Sequence, residues 1–192
     1  MTWSPPRGDY LLETPYRGDR RYVHATDIFT SLSSLVGGWA LPEPMFISEL
    51  ALSKVSRNLC VAFLEPEMRS EEAQGVFRLA GESGRQVSGC LRESCRQPER
   101  RLEYDEYRLT EYSTIVGKTL RAIPVPGFSA IQMAVGYMKI LTTRSVSLLE
   151  GQWMFSRIKL SQPFPLHFEE LEMRLERALP NQYSRAIIGI DG

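Results

Sequence analysis

In the stretch YVHATDIF, Tyr22 to Phe29, one of the two histidines of the 192-residue chain stands three positions before a carboxylate, Asp27. An imidazole titrates near neutrality and can exchange protons there, so His24 is a candidate catalytic base, with Asp27 orienting it or acting alone. The same residues fit a plainer role. Thr26 would be the N-cap of a helix, Asp27 a first-turn carboxylate favoured by the helix dipole, and His24 a loop residue. Tyr22 is a candidate donor that also suits packing. The second histidine, His167 in PFPLHFEE, follows two prolines in a charged turn and is set aside. Cys60 lies in the apolar run LCVAF and reads as an inert core thiol.

A second set of polar residues lies in FSAIQMAVGYMKILTTRSVSLL. Ser129, Gln132, Gly136, Lys139 and Thr143 are spaced three, four, three and four, which puts them on one narrow stripe of an otherwise apolar helix. Such a helix is expected to be buried on most of its circumference, its stripe facing a groove, a second helix or a cavity. Ser129 follows Pro126-Gly127 in the first turn. There, free backbone N–H groups could hold a carbonyl or phosphate oxygen, or the Ser129 hydroxyl could cap the helix.

The elements that must position these residues follow from periodicity. Residues 1–20 are rich in Pro, Gly, Arg and Asp and read as an extended arm. Ile28, Phe29, Leu32, Leu35 and Val36 share one helical face, which Gly37-Gly38 ends. From 46 to 93 the texture is that of strands, with Gly81 to Gly84 as a turn. SCRQPERRLEYDE (94–106) reads as a loop between halves. EYRLTEYSTIVGKTLRAI is strand-rich and closes at PVPG, 124–127. After the long helix come three strand-like runs. The middle one, LEMRLERAL, fits strand or helix, and its neighbours favour strand.

Composition bounds the function. Lys+Arg and Asp+Glu both number 23, so a chain of zero formal net charge has no bulk attraction for nucleic acid or anionic membrane. The start, MTWSPPRGDY, lacks the apolar core of a signal peptide, and no apolar run is long enough for a membrane span. Three cysteines without metal-like spacing suit reduced thiols, and a cytoplasmic location is expected. No Walker loop, dinucleotide glycine pattern, GxSxG elbow or HExxH is present.

The run PGFSAIQMAVGYMKILTTRS, followed by QWMFSRIKLSQPFP, LEMRLERAL and RAIIGIDG, resembles the hot-dog fold superfamily. In that superfamily an antiparallel sheet wraps a long central helix. The likeness lies in the order of elements, over the last third of the chain, and not in a signature motif. It implies an α+β class, hot-dog-like, with YVHATDIFTSLSSLVG opening a second, degenerate copy, so possible double hot-dog halves at 21–103 and 104–192 follow the 1–20 arm.

The resemblance further implies an enzyme of acyl thioesters: a thioesterase, dehydratase or acyltransferase of fatty-acid or polyketide-type secondary metabolism. Its substrate would be carried by coenzyme A or an acyl carrier protein, with no metal or other cofactor. His24 and Asp27 would be catalytic. Tyr22, Ser129, Gln132 and Gly136 would line the substrate, Gln132 binding either the thioester carbonyl or a polar neighbour. A monomer suits a double hot-dog, which makes the paired unit within one chain, and a homodimer, common in the superfamily, is the alternative. One departure stands out. The familiar dehydratases place the histidine before an FPG-type turn and the carboxylate on a separate helix, and HATDIF is neither. The alternative is a non-catalytic protein that binds an acyl chain or small ligand, or acts as a scaffold, which the scarcity of convergent titratable residues favours.

Overall fold

The computed structural model describes residues 8–41, 43–64, 73–146, 153–179 and 182–191. The first seven residues of the expected arm, the end of the expected helix at 147–149, residue 152 of the next run and Gly192 lie outside the described residues. The chain forms two compact units. One comprises Met1–Tyr104 with Phe155–Phe164, the other Asp105–Met154 with Pro165–Gly192.

In the first unit, strands β1 (Tyr10–Leu12), β3 (Met45–Leu52), β4 (Cys60–Phe63), β5 (Gly75–Gly81) and β6 (Gln86–Glu93) join β10 (Arg157–Lys159) in one six-stranded sheet. Its order is β1-β4-β6-β5-β3-β10 and every pairing is antiparallel. β2 (Tyr16–Arg17) and β7 (Arg101–Leu102) make a short parallel ribbon. Helix α1 (Ala25–Gly38) lies against β3 and β1. It buries Ile28, Phe29, Leu32 and Val36, the apolar face that the sequence spacing predicts, while Leu35 is half-buried.

The strand that completes this sheet comes from far along the chain. β10 pairs with β3 in the register Arg157↔Ala51, Ile158↔Leu50 and Lys159↔Glu49. Backbone bonds from Leu52 N to Ser156 O and from Leu160 N to Ser48 O, both 2.8 Å, extend the pairing at each end. Glu49 is buried, and its carboxylate receives Arg157 Nε at 2.7 Å and Arg78 Nη1 at 3.1 Å. Burial pushes the Glu49 carboxyl upward, but the Arg157 hydrogen bond and charge, helped by Lys159 and Arg78, outweigh it and hold the carboxyl below its ordinary value.

In the second unit, β8 (Ser113–Val116), β9 (Thr119–Ala122), β11 (Leu171–Leu179) and β12 (Tyr183–Ile190) form an antiparallel sheet in the order β12-β11-β9-β8. LEMRLERAL is thus a strand, with Leu171, Met173 and Leu175 buried and Glu172, Arg174 and Glu176 outward. Helix α3 (Ala130–Ser145) packs on β11, β9 and β12. A four-residue helix, α2 (Arg108–Glu111), lies against α3, in a stretch whose composition suggests strand.

The hot-dog and double hot-dog reading is therefore corrected. The described chain is mostly antiparallel sheet with three short helices, and no long central helix is evident. α3 has 16 residues, a length of about 24 Å. Its apolar circumference has a different cause. The sheet covers one side of its first two turns and α2 another, so Ala130 to Tyr137 are all buried, whereas Thr143 to Ser145 are exposed. At Gly136 and Lys139 the polar stripe meets α2 and the residue two before it. A Cβ at Gly136 would strike Leu109 of α2, and Lys139 pairs with Glu106 just before it.

Two expectations follow. Leu32 is fully buried between α1 and its sheet, so Leu32→Ala should cost about 2–5 kcal/mol in chemical denaturation. The Glu49 carboxyl titrates lower in the folded protein than in the unfolded chain. Its contribution to stability is present above the ordinary value of 4.5 and is lost as pH falls through the folded value. Glu49→Gln should lower stability at neutral pH and flatten the acid limb of a denaturation-midpoint against pH curve. An unchanged acid limb would show that Glu49 does not carry it.

Candidate functional site

Tyr22, His24 and Asp27 come together at the start of α1, in the first unit. The helix begins earlier than sequence spacing suggests: His24, not Thr26, is the N-cap residue, and its carbonyl accepts from Asp27 N and Ile28 N at 3.0 and 3.1 Å. Thr26 is completely buried in the first turn, where its Oγ1 lies 2.8 Å from His24 Nδ1, in a hydrogen bond whose donor depends on the imidazole tautomer. The His24 ring is flanked by Tyr22 and Tyr104, at centroid distances of 6.5 and 5.1 Å. Both oxygens of Asp27 are taken by Arg17, with Nε donating to Oδ2 at 2.9 Å and Nη2 to Oδ1 at 2.6 Å. Arg17 and Arg20 also stand over the Tyr104 ring. These contacts join β2, the helix start and Tyr104, where the chain first leaves the unit.

Ser129, Gln132 and Gly136 belong to the second unit and share α3. Ser129 is the N-cap, its Oγ accepting from Gln132 N at 3.4 Å, while Gln132 Oε1 accepts from Ser129 N at 2.9 Å. This reciprocal capping box explains why a buried amide stands one turn into an apolar helix. Gly136 is small because α2 sits against it. Tyr137 is buried beside it, its hydroxyl donating to Ile123 O at 3.4 Å, and burial pushes its pKa up to about 12. Such a phenol is a poor acid or base at neutral pH. Cys60 is likewise buried, with its thiol pushed up by that burial, as a core thiol should be.

A concave site lies just before α3, where the sequence marks only a helix boundary. A pocket of about 320 Å³ is lined by Pro124–Phe128, Met133 and Leu166–Phe168. One wall is a tight turn: Phe128 N donates to Val125 O at 3.2 Å, with Pro126 and then Gly127, at φ +87°, in the two central positions. Proline followed by a positive-φ residue is the type II pattern, which only glycine adopts without strain. The turn is held from behind, because Val125 N donates to Met133 Sδ at 3.1 Å and Arg108 Nη2 to Pro126 O at 3.3 Å. The other wall is fixed by Asp191, whose Oδ1 accepts from Glu169 N and Glu170 N at 2.7 and 3.0 Å. Phe168 is buried in it and Leu166 is exposed.

His167, set aside in the sequence, is the one titratable side chain among the described lining residues. The signal that could have found it is the proline-rich PVPG before the helix and the two prolines of PFPLHF just ahead of His167. Among the described residues no group of three or more His, Cys, Asp or Glu could hold a metal ion. No helix of the described residues is long and apolar enough to cross a membrane.

Comparison with protein-family models, with curated proteins and with solved structures finds no match.

The Arg17–Asp27 pair is largely buried, with side-chain exposures of 14% and 8%. Removing one member leaves the other uncompensated, so Asp27→Ala should lower stability by roughly 3 kcal/mol, and Arg17→Met with Asp27→Leu should recover most of it. A denaturation cycle checks this. Losses from Arg17→Met and Asp27→Leu that simply add in the double variant would show that the pairing contributes nothing.

Proposed function

We propose that this protein is a non-catalytic binding module that holds a small apolar ligand, an acyl or aryl group with a polar head, in the pocket before α3. The observation that carries this reading is the makeup of that pocket. The proline turn at 124–127 makes one wall and Leu166–Phe168 the other, and a single imidazole can donate to or accept from a ligand head group. A volume near the lower end of the usual ligand range, about 300–1,000 Å³, suits a short chain or one ring. Acid–base turnover normally needs a second positioned group, and no other titratable side chain lines the pocket among the described residues.

Processing of acyl thioesters on coenzyme A or an acyl carrier protein is the weaker reading. Its support was a resemblance whose expected fold is not observed. Ser129 and Gln132 bond to each other, and both oxygens of Asp27 bond to Arg17.

The test is titration with octanoate and with phenylacetate, followed by NMR of the Met133 methyl and the His167 ring protons. Saturable shifts are expected for at least one probe. Leu166→Asp should abolish them without unfolding the protein, since Leu166 is 84% exposed. Octanoyl-coenzyme A incubated with the protein should release no thiol. Unchanged resonances with both probes would sink the binding reading, and thiol release would return the enzymatic one.

A further inference from the structure

The second wall of the pocket, Leu166–Phe168, lies in the stretch Pro165–Glu170, which belongs to no helix or strand and so has no ladder to hold it. Phe168 is buried and anchors the stretch, while Leu166 and His167 are exposed. Its far end is gripped by the residue that follows β12. The Asp191 N–H donates to Glu170 O at 3.0 Å and carries the β11–β12 pairing one step further. The backbone of Asp191 then turns to φ +56°, and among the described residues no other residue except glycine has a positive φ. Aspartate and asparagine are the side chains that tolerate this left-handed region. Asp191 Oδ1 meets two successive N–H groups, those of Glu169 at 2.7 Å and Glu170 at 3.0 Å. Water competes for these bonds at an exposed residue, but a charged acceptor makes them the stronger kind. Residues held in sparsely populated conformations cluster at ligand clamps, where the surroundings over-determine them.

We propose that Asp191 is a positioning residue of the pocket: it holds the peptide after His167 and Phe168, so that the imidazole meets the ligand head group from a fixed place. The proposal rests on the binding reading above. Asp191 is neither a lining residue nor a core one, so its effect on binding passes through the wall it grips. Glycine at this position would keep the backbone turn and lose the acceptor. Asparagine would keep both, because it too adopts the left-handed region and its Oδ1 accepts hydrogen bonds. The two substitutions therefore separate the grip from the turn.

The experiment uses whichever of octanoate and phenylacetate saturates the wild type. Asp191→Gly should weaken its binding on the order of tenfold, and Asp191→Asn by less than about twofold. His167→Ala should weaken it as well, and the losses from Asp191→Gly and His167→Ala should not add in the double variant, since both act through one imidazole. As a check that needs no variant, the Glu169 and Glu170 amides of the free wild-type protein should be protected from hydrogen exchange. Failure of both probes on the wild type removes the binding reading and this proposal with it. With a probe bound, the proposal alone is overturned by unchanged affinity in Asp191→Gly, by a loss that Asp191→Asn shares, by losses that add with His167→Ala, or by amides that exchange freely. Tighter binding in Asp191→Gly also overturns it, because the carboxylate would then oppose the ligand.

Discussion

The first unit depends on a strand that arrives late. β10 closes the six-stranded sheet against β3 across more than a hundred residues, and Glu49 is the buried charge that fixes its position. Closing so long a loop carries an entropic cost that rises only slowly with length, so a short strand with a few strong contacts can suffice. Arg157 and Arg78 reach Glu49 from strands on either side of β3. A carboxylate at that position without them would be a buried, uncompensated charge. The consequence is an interleaved path. The chain leaves the first unit after Tyr104, returns at Phe155 and leaves again after Phe164, so neither unit is one continuous segment.

Each unit applies the same packing rule to a different helix. An amphipathic α1 needs only its sheet, and its outward residues, such as Ser34 and Gly37, are exposed. α3 is apolar nearly all round in its first half, and so it needs two covers. The sheet is one and α2 the other, and the polar stripe marks the seam with α2. A stripe of this kind is as compatible with a short helix docked on a glycine as with a ligand tunnel. The residues at 105–111 decide between them.

The pocket before α3 is a by-product of how that helix is started. Pro126 and Gly127 set the turn, Ser129 and Gln132 cap the helix, and the Met133 sulfur holds the turn from behind. Val125 N and O, Pro126 O and Phe128 N are already bonded within the protein, which leaves shape, apolar surface and the His167 imidazole as the main means of recognition in the proposed reading. That composition is what the proposed binding reading rests on. His24, by contrast, sits in a packed cluster where Thr26, Tyr22 and Tyr104 surround the ring.

Local pattern determined a good deal by itself. The face of α1, the alternation in LEMRLERAL and SRAIIGIDG, the PVPG turn and the burial of Cys60 are all legible in the sequence, because each depends on neighbours within one element. What the tertiary structure decided is everything that depends on partners distant in sequence. It set the covering of α3 by α2, the return of β10 to β3, the hold of Arg17 on Asp27, and the convergence of PVPG with Leu166–Phe168 into one pocket. Periodicity reports which side of an element is apolar and is silent on what covers it. A buried helix therefore reads the same whether a sheet wraps it or a sheet and a small helix share the work.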